Sequence, residues 1–352
     1  MPPARTHPDR PHPTDLAREK YASAPPRLGP IQRVKTDVLD VAYVAQGPAD
    51  GETVLLLHGF PYDIHSYEHV APMLAEAGLR VIVPFLRGHG PTRSLGGSAA
   101  RSGEQAALGV DVIELLDALG VDSAVLAGYD WGARAACVAA ALWPTRCTGL
   151  VAVNSYLVQD LTAATQPLPP AVEAGFWYFW YFCTVRGENA LRTNARGIAA
   201  VIWAHNSPAW DFDEQTLART AEAFDNPDYA DVVLHSYRHR LGLAGGHPRY
   251  AAVQAALSAL PAITVPAVTL DGLADGNFPA TEASAAAAHF AGPRVHRHVP
   301  NAGHNLPQEA PQAFADAVHE TLALSRTNLT KGPHPLHTDA SAAADRPSRA
   351  AD

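Results

Sequence analysis

The segment around residue 130 constrains the fold of this chain more than any other feature. Residues 124–127 are a short apolar run typical of a buried strand, and residues 128–132 read Gly-Tyr-Asp-Trp-Gly. A helix of small residues is predicted directly afterwards, over residues 133–142. Glycines two positions before and two positions after Asp130 allow a turn so sharp that its central side chain is pushed out at the end of the strand. Such a turn presents a nucleophile at a helix N-terminus, where negative charge is favoured.

The plainer interpretation is that Asp130 only caps the helix, since aspartate is a preferred N-cap residue. Two other segments favour catalysis. Residues 57–61 read Leu-His-Gly-Phe-Pro and follow a buried strand, where a loop supplies one backbone N–H of an oxyanion hole, here that of Phe60. The other N–H belongs to the residue after the nucleophile, Trp131. His304 lies in Asn-Ala-Gly-His-Asn between the last predicted strand and the last helix, which is the place of a general base.

Two carboxylates follow the strand predicted over residues 263–270, and either could orient His304. Asp271 lies almost within the strand and is interpreted as a structural turn residue. Asp275 lies farther along the loop, at the end of Gly-Leu-Ala-Asp, and this spacing favours it as the acid. The chain order is then nucleophile Asp130, acid Asp275 and base His304, as in hydrolases built on a nucleophile elbow.

Strand-like and helix-like segments alternate along the chain, which predicts an α/β protein with a mostly parallel sheet covered by helices. Eight strands are expected. The alternation stops where an aromatic run at 176–182 is followed by helical patterns. We therefore expect a helical cap domain at 155–260, inserted after the sixth strand of a core formed by residues 31–154 and 261–325. After the interruption, residues 281–290 are predicted to form a helix.

Composition limits the partners and the compartment of this protein. The 352 residues are 47% hydrophobic and carry a formal net charge of −9, which argues against nucleic acid and anionic membranes as partners. The 3 cysteines lack disulfide or metal-site spacing, and no apolar run predicts a signal peptide or a membrane span. We expect a cytoplasmic protein, and the sequence leaves a homodimer open. Residues 1–30 and 326–352 are expected to be disordered.

No metal or other cofactor is expected. Among the 17 histidines, only His296 and His298 form a tight pair. They alternate as on a strand, and we interpret them as surface residues rather than metal ligands. The chemistry is therefore assigned to side chains, a substrate and water.

With these motifs the chain resembles the epoxide hydrolase branch of the α/β-hydrolase superfamily. The resemblance runs from about residue 38 to residue 324, and rests on residues 58–61, 87–90 (Arg-Gly-His-Gly), 128–132 and 302–304 (Ala-Gly-His). It implies the α/β-hydrolase fold, shared with haloalkane dehalogenases, and the hydrolysis of an epoxide to a vicinal diol. One departure is Tyr129, where the family usually has histidine.

The resemblance also implies that two cap tyrosines hold the epoxide oxygen. Tyr178 matches the first and Tyr237 the second, while Tyr181 competes with Tyr178 for the role. Trp131 and these three tyrosines are the substrate-binding residues that the resemblance implies. A phenol can donate a proton to the leaving alkoxide. The expected substrate is a small apolar epoxide, with water as the second reactant.

A carboxylate nucleophile suits attack at saturated carbon, because it is already ionised near neutral pH. The product would be an alkyl ester of Asp130, which water activated by His304 and Asp275 would hydrolyse. A haloalkane dehalogenase is the nearest alternative. Those enzymes hold the departing halide with side-chain N–H donors, and Phe60 offers none. A non-catalytic ligand-binding protein on the same fold is the other alternative.

Overall fold

The computed structural model describes residues 28–331, and its centre is one sheet of nine strands. The strands are β1 (Gln32–Lys35), β2 (Leu39–Gln46), β3 (Thr53–Leu57), β4 (Arg80–Pro84), β5 (Arg93–Ser94), β6 (Ala124–Gly128), β7 (Cys147–Val153), β8 (Ala267–Gly272) and β9 (Arg294–Val299). Their spatial order is β1-β2-β4-β3-β6-β7-β8-β9, with β5 paired to β2. Pairs that involve β2 are antiparallel, and all the others are parallel.

The mostly parallel α/β sheet predicted from the sequence is confirmed. Eight strands form the main path. The two-residue β5 was missed, because two residues carry no readable periodicity. The central strands β3 and β6 are buried almost from end to end, as expected of parallel strands with both faces covered.

The helices cover this sheet or connect its strands. They are α1 (Val70–Glu76), α2 (Gln105–Ala118), α3 (Asp130–Leu142), α4 (Pro170–Gly175), α5 (Trp177–Tyr181), α6 (Val185–Asn206), α7 (Glu214–Ala221), α8 (Tyr229–Arg240), α9 (Ala251–Leu257), α10 (Leu306–Glu309) and α11 (Pro311–Lys331). Helices α4 to α9 all lie between β7 and β8, and β7 is the sixth strand when the short β5 is not counted. Between residues 28 and 331, no helix has the length and apolar character needed to cross a bilayer.

The two ends of the chain were expected to be disordered. Residues 1–27 and 332–352 lie outside the described residues. The last helix, α11, continues to Lys331 and so passes the boundary at residue 325 that the sequence suggested.

The helix predicted over residues 281–290 is wrong. This segment forms turns and one short 3-10 helix, Ala287–His289. Its alanines favour a helix, but most of its side chains are exposed. A short helix is stable in water only when it buries an apolar face. Thr281 is instead tied to Asp271 through its backbone N–H and its hydroxyl.

The turn between β6 and α3 explains both glycines around Asp130. Asp130 has a φ of 49°, in the left-handed region that residues other than glycine rarely adopt. A Cβ on Gly132 would lie 1.9 Å from the carbonyl oxygen of Leu57. A Cβ on Gly128 would lie 2.5 Å from the carbonyl carbon of Gly132. The turn therefore packs tightly against the end of β3 and holds Asp130 at the carboxyl ends of the parallel strands.

Replacing Gly132 with alanine should destabilise the protein by about 3 kcal/mol, because the new methyl group overlaps a backbone oxygen. Gly245→Ala is the matched control, since no atom lies within 4 Å of a Cβ at that position. Its expected effect is below about 0.5 kcal/mol. Urea denaturation followed by tryptophan fluorescence measures both changes. Equal stability of the two variants would contradict the tight turn.

Candidate active site

Asp130 is the first residue of α3, and the loop after β3 holds its carboxylate. The backbone N–H of Phe60 donates to Asp130 Oδ1 at 2.8 Å. Gly59 permits this approach, since a Cβ there would lie 2.7 Å from the Cβ of Asp130. The backbone N–H of Trp131 belongs to the first turn of α3, where N–H groups have no partner within the helix. The loop and the helix terminus thus present N–H donors on the two sides that the sequence predicts.

His304 faces Asp130 from the loop between β9 and α10. Its Nε2 is 3.6 Å from Asp130 Oδ2, and its Nδ1 is 2.9 Å from Asp275 Oδ2. The side chains of His304 and Asp275 are completely buried. The other oxygen of Asp275 accepts from the backbone N–H groups of Asn277 and Phe278 at 2.8 and 2.9 Å. The Asp275 carboxylate is therefore held in place, and it orients the imidazole.

Asp271, the other carboxylate considered for this position, points elsewhere. Its Oδ2 accepts from the backbone N–H and the hydroxyl of Thr281 at 2.7 and 2.9 Å. The structure therefore brings Asp130, His304 and Asp275 together and leaves Asp271 outside the group.

Charge opposes burial at this site. Burial disfavours the ionised carboxyl of Asp130, but the hydrogen bond and charge of His304 outweigh it and hold the pKa of Asp130 below its usual value. Burial also disfavours the charged form of His304, but the carboxylates of Asp275 and Asp130 raise the pKa of His304 to about 10. Near neutral pH the two facing groups are therefore a carboxylate and an imidazolium.

Asp130→Asn should lower the pKa of His304, because it removes one of the two carboxylates that stabilise the imidazolium. NMR titration of the His304 ring in both proteins measures the change. An unchanged pKa would contradict the electrostatic link. In the wild type, a raised folded-state pKa stabilises the protein fully below about pH 6.5, the unfolded value, and this contribution is lost as pH rises through about 10.

Two tyrosines of the helical insertion pack over the Phe60 loop. Tyr178 and Tyr237 are buried, and their ring centroids lie 6.2 and 5.3 Å from that of Phe60. The two tyrosine rings are 5.4 Å apart, and Tyr237 is 6.0 Å from the ring of Trp131. Tyr181 is half-buried and makes no ring contact with these four residues. Of the two candidates for the first tyrosine, the structure thus brings Tyr178, and not Tyr181, to the site.

Both phenols keep their protons throughout the ordinary pH range. Burial is the main cause that raises the pKa of Tyr178 and of Tyr237, and the negative charge of Asp130 adds to it. A buried neutral phenol is a hydrogen-bond donor. Both tyrosines are therefore in the state needed to hold an oxygen that becomes an alkoxide.

Two asparagines at this site were missed by the sequence analysis. The side chains of Asn206 and Asn277 lie beside the hydroxyl of Tyr178, and both amides are buried without a hydrogen-bond partner among the described residues. Buried amides are normally paired, so this pair marks a place that receives polar ligand atoms. One ends a helix and the other lies in a loop, and neither belongs to a recognisable motif.

Arg240, at the end of α8, was also missed. Its guanidinium carbon lies 5.1 Å from the ring centroid of Tyr237 and 5.7 Å from that of Trp131. Its Nη2 is buried and has no hydrogen-bond partner among residues 28–331. After burial and His304, the charge of Arg240 is the next influence on Asp130, and it favours the carboxylate. A lone arginine four residues from a helix tyrosine gives no motif, so only the three-dimensional contacts identify it.

Tyr129, the departure from the family pattern, is fully buried. Its hydroxyl is 2.6 Å from Ser66 Oγ, and its ring centroid is 6.3 Å from that of His304. The substitution therefore leaves the contacts of the Asp130 carboxylate in place and supports the imidazole by packing.

Comparison with known proteins agrees with this geometry. The model of the alpha/beta hydrolase fold family matches residues 52–311. Epoxide hydrolase A of Mycobacterium tuberculosis is 28% identical over 83% of this chain and 97% of that protein. Epoxide hydrolase B of the same species is 41% identical over 32% of this chain, and the match spans only 31% of that relative's length. A crystal structure from Klebsiella pneumoniae, provisionally assigned as an epoxide hydrolase, is 47% identical with a TM-score of 0.81, and covers 84% of this chain and 97% of that chain.

The family model covers well over half of the 352 residues. The Klebsiella structure shares the fold over nearly all of its own length. Together with the sheet order and the turn at Asp130, these similarities show that the chain belongs to the α/β-hydrolase fold family, as an epoxide hydrolase-like enzyme.

Proposed function

We propose that this enzyme hydrolyses an epoxide to a vicinal diol through an alkyl ester on Asp130. The observation that carries the proposal is one buried, ionised carboxylate that shares its site with a backbone N–H donor, a histidine and two buried phenols. The names of the epoxide hydrolases among the relatives support the same reaction. Asp130 is the nucleophile, His304 the base and Asp275 the acid that orients it.

In the first step, the Asp130 oxygen that Phe60 does not hold attacks a ring carbon of the epoxide. An ester bond forms, the ring C–O bond breaks, and its electron pair stays on the epoxide oxygen. Tyr178 and Tyr237 donate hydrogen bonds to this oxygen, and one of them transfers its proton to it. The proton on His304 then replaces the one that the tyrosine has lost, which leaves a neutral imidazole.

Formation of the ester prepares His304 for the second step. The ester is uncharged, so one of the two carboxylates that raise the pKa of His304 is gone and the neutral imidazole is favoured. His304, oriented by Asp275, takes a proton from water, which attacks the carbonyl carbon of Asp130. The negative charge develops on Oδ1, where the N–H groups of Phe60 and Trp131 stabilise it. Collapse of this intermediate releases the diol.

Tyr178→Phe and Tyr237→Phe should each lower kcat/KM for an epoxide by roughly 10²- to 10⁴-fold, because each removes a donor to the developing alkoxide. Tyr181→Phe is the matched comparison, since it removes the same hydroxyl from the rival position. Steady-state diol formation measures all three variants. A loss confined to Tyr181→Phe would transfer the role to that residue and contradict the assignment of Tyr178.

We also propose that residues 155–260 act as a cap that shields the site from bulk water. Trp203 of α6 anchors this segment to the core. Its indole N–H donates to the carbonyl oxygen of Pro61 at 2.9 Å, and its ring stacks on Tyr62 with centroids 5.1 Å apart. The cap is thus joined directly to the loop that holds Asp130.

A cavity of about 380 Å³ within this segment gives the substrate a path to the site. Its lining includes Phe176, Phe179 and Arg240. The ring of Phe179 is 4.6 Å from that of Tyr237, so the cavity ends against the proposed oxygen-binding pair. Its aromatic lining suits a small apolar epoxide.

Hydrolysis of a carbon–halogen bond is the second candidate, and one observation favours it. The indole N–H of Trp131 is buried without a hydrogen-bond partner among the described residues, so it could hold a departing halide. Phe60 supplies no side-chain donor beside it. Two phenols beside this site suit an alkoxide better than a halide, since a phenol can also transfer a proton.

A paired assay of styrene oxide and a haloalkane tests the proposal, with diol and halide as the two products measured. We expect diol formation from the epoxide, little halide release, and no diol above background with Asp130→Ala. Halide release without diol would replace the proposal with a dehalogenase. Biological activity that survives Asp130→Ala would favour the non-catalytic alternative.

A further inference from the structure

Strands β8 and β9 bring together three side chains that commonly bind metals, outside the active site. Asp271 is the register partner of His298, and Thr269 is that of His296. Residues two apart on a strand point to the same face of the sheet, so all four lie on one face. One potential ligand atom from each of Asp271, His296 and His298 lies within 4.8 Å of the other two.

A backbone carbonyl completes this group. The Nε2–H groups of His296 and His298 both donate to the carbonyl oxygen of Thr281, at 3.1 and 2.8 Å. His296 Nε2 is 3.7 Å from Asp271 Oδ2. Neighbouring ligand atoms of a tetrahedral zinc ion are roughly 3.4 Å apart, given zinc–ligand bonds of about 2.0–2.1 Å. Two nitrogens and two oxygens are therefore spaced almost as in such a site.

Asp271 is an independent sign that the group receives a cation. The residue is only 1% exposed, and its Oδ1 is buried without a hydrogen-bond partner among the described residues. An unpaired buried carboxylate oxygen is costly, and a bound cation removes that cost. Burial also lowers the pKa of His296. Its ring is thus neutral near neutral pH, as a metal ligand must be.

The surroundings of His296 orient it to bind through Nε2. Its Nδ1 lies 2.9 Å from Thr269 Oγ1, so a protonated Nδ1 can donate to that hydroxyl while Nε2 binds the ion. Arg294 Nη2 lies 3.4 Å from the same Nδ1, and its charge opposes a cation. The Asp271 carboxylate offsets that charge. Imidazole ligands suit zinc and its neighbours in the first transition row rather than magnesium or calcium.

We propose that Asp271, His296, His298 and the carbonyl oxygen of Thr281 form a binding site for a zinc-like divalent ion. The ion would tie Thr281, in the connection between β8 and β9, to both strands. The same connection carries Asp275 of the active site. The metal would therefore stabilise the segment that supports the catalytic acid. The proposal does not depend on which bond the enzyme hydrolyses.

Calorimetric titration of the tag-free full chain with ZnCl₂ tests the site. The variants are His298→Gln and, as a matched control, His319→Gln, which changes an exposed histidine of α11. His298 is also exposed, so neither change should disturb folding, and circular dichroism verifies this. We expect the wild type and the control to bind one equivalent of Zn²⁺ with micromolar or tighter affinity.

In His298→Gln, the affinity for Zn²⁺ should fall by at least about tenfold, since loss of even an indirect support of a metal ligand has that effect. Saturating Zn²⁺ should also raise the Tm of the wild type and the control, and not that of His298→Gln. Equal zinc affinity in the two variants would overturn the proposal. Wild-type binding no tighter than millimolar would overturn it as well.

Discussion

A His304→Gln variant should form the alkyl ester on Asp130 but hydrolyse it at least about a thousandfold more slowly than the wild type. Attack on the epoxide needs an ionised Asp130, and its N–H contact with Phe60 does not involve His304. Hydrolysis needs a base for water, and glutamine cannot accept the proton. His304 Nε2 is 3.6 Å from the Asp130 carboxylate, which places it beside the ester carbon that water attacks.

The kinetic signature of His304→Gln is a burst followed by stalling. Rapid mixing with excess epoxide should consume about one equivalent of substrate per enzyme, after which diol formation nearly stops. His319→Gln is a suitable control, because it removes an exposed imidazole of α11 far along the chain from this site. A His304→Gln variant that turns over without a burst would remove His304 from the hydrolytic step.

Asp275→Asn should lower kcat by roughly 10²- to 10⁴-fold. The carboxylate of Asp275 accepts from His304 Nδ1 at 2.9 Å and helps to raise the pKa of His304. An amide cannot stabilise the imidazolium that forms when water loses its proton, and it can present an N–H to the ring instead. Diol formation by steady-state assay, with the pKa of His304 measured by NMR, tests both consequences. The pKa should fall together with kcat.

Asp271→Asn is the matched control for that experiment. It changes the same side chain four residues earlier, at a carboxylate that bonds Thr281 and not His304. With a chelator present, so that no metal ion contributes, kcat should stay within about threefold of the wild type. A large loss in Asp271→Asn with a small one in Asp275→Asn would reverse the assignment of the acid.

The sequence predicted the backbone of the site well, because each part is a local pattern. The glycines around Asp130 report a turn that admits no Cβ at Gly128 or Gly132. Glycine and histidine at the ends of predicted strands placed the Phe60 loop and His304 on one edge of the sheet. The side chain that orients His304 stayed open between Asp271 and Asp275, because strand ends cannot be located to one residue from periodicity.

What the sequence could not predict depends on contacts between distant segments. An aromatic run cannot show which ring turns inward, so Tyr178 and Tyr181 were separated only by their neighbours in space. Arg240 and Asn206 are recognisable only as buried polar groups without partners. The absent helix at 281–290 has the same origin, since Asp271 holds Thr281 across the chain and alanine content alone cannot report that bond.

The covalent ester on Asp130 is the central claim, and the intact mass of His304→Gln after incubation with styrene oxide tests it most directly. The account predicts a protein heavier by one substrate molecule, with the added mass on the peptide that contains Asp130 after proteolysis. The adduct should be absent when Asp130 is also changed to alanine. An unmodified His304→Gln protein that continues to produce diol would contradict the account.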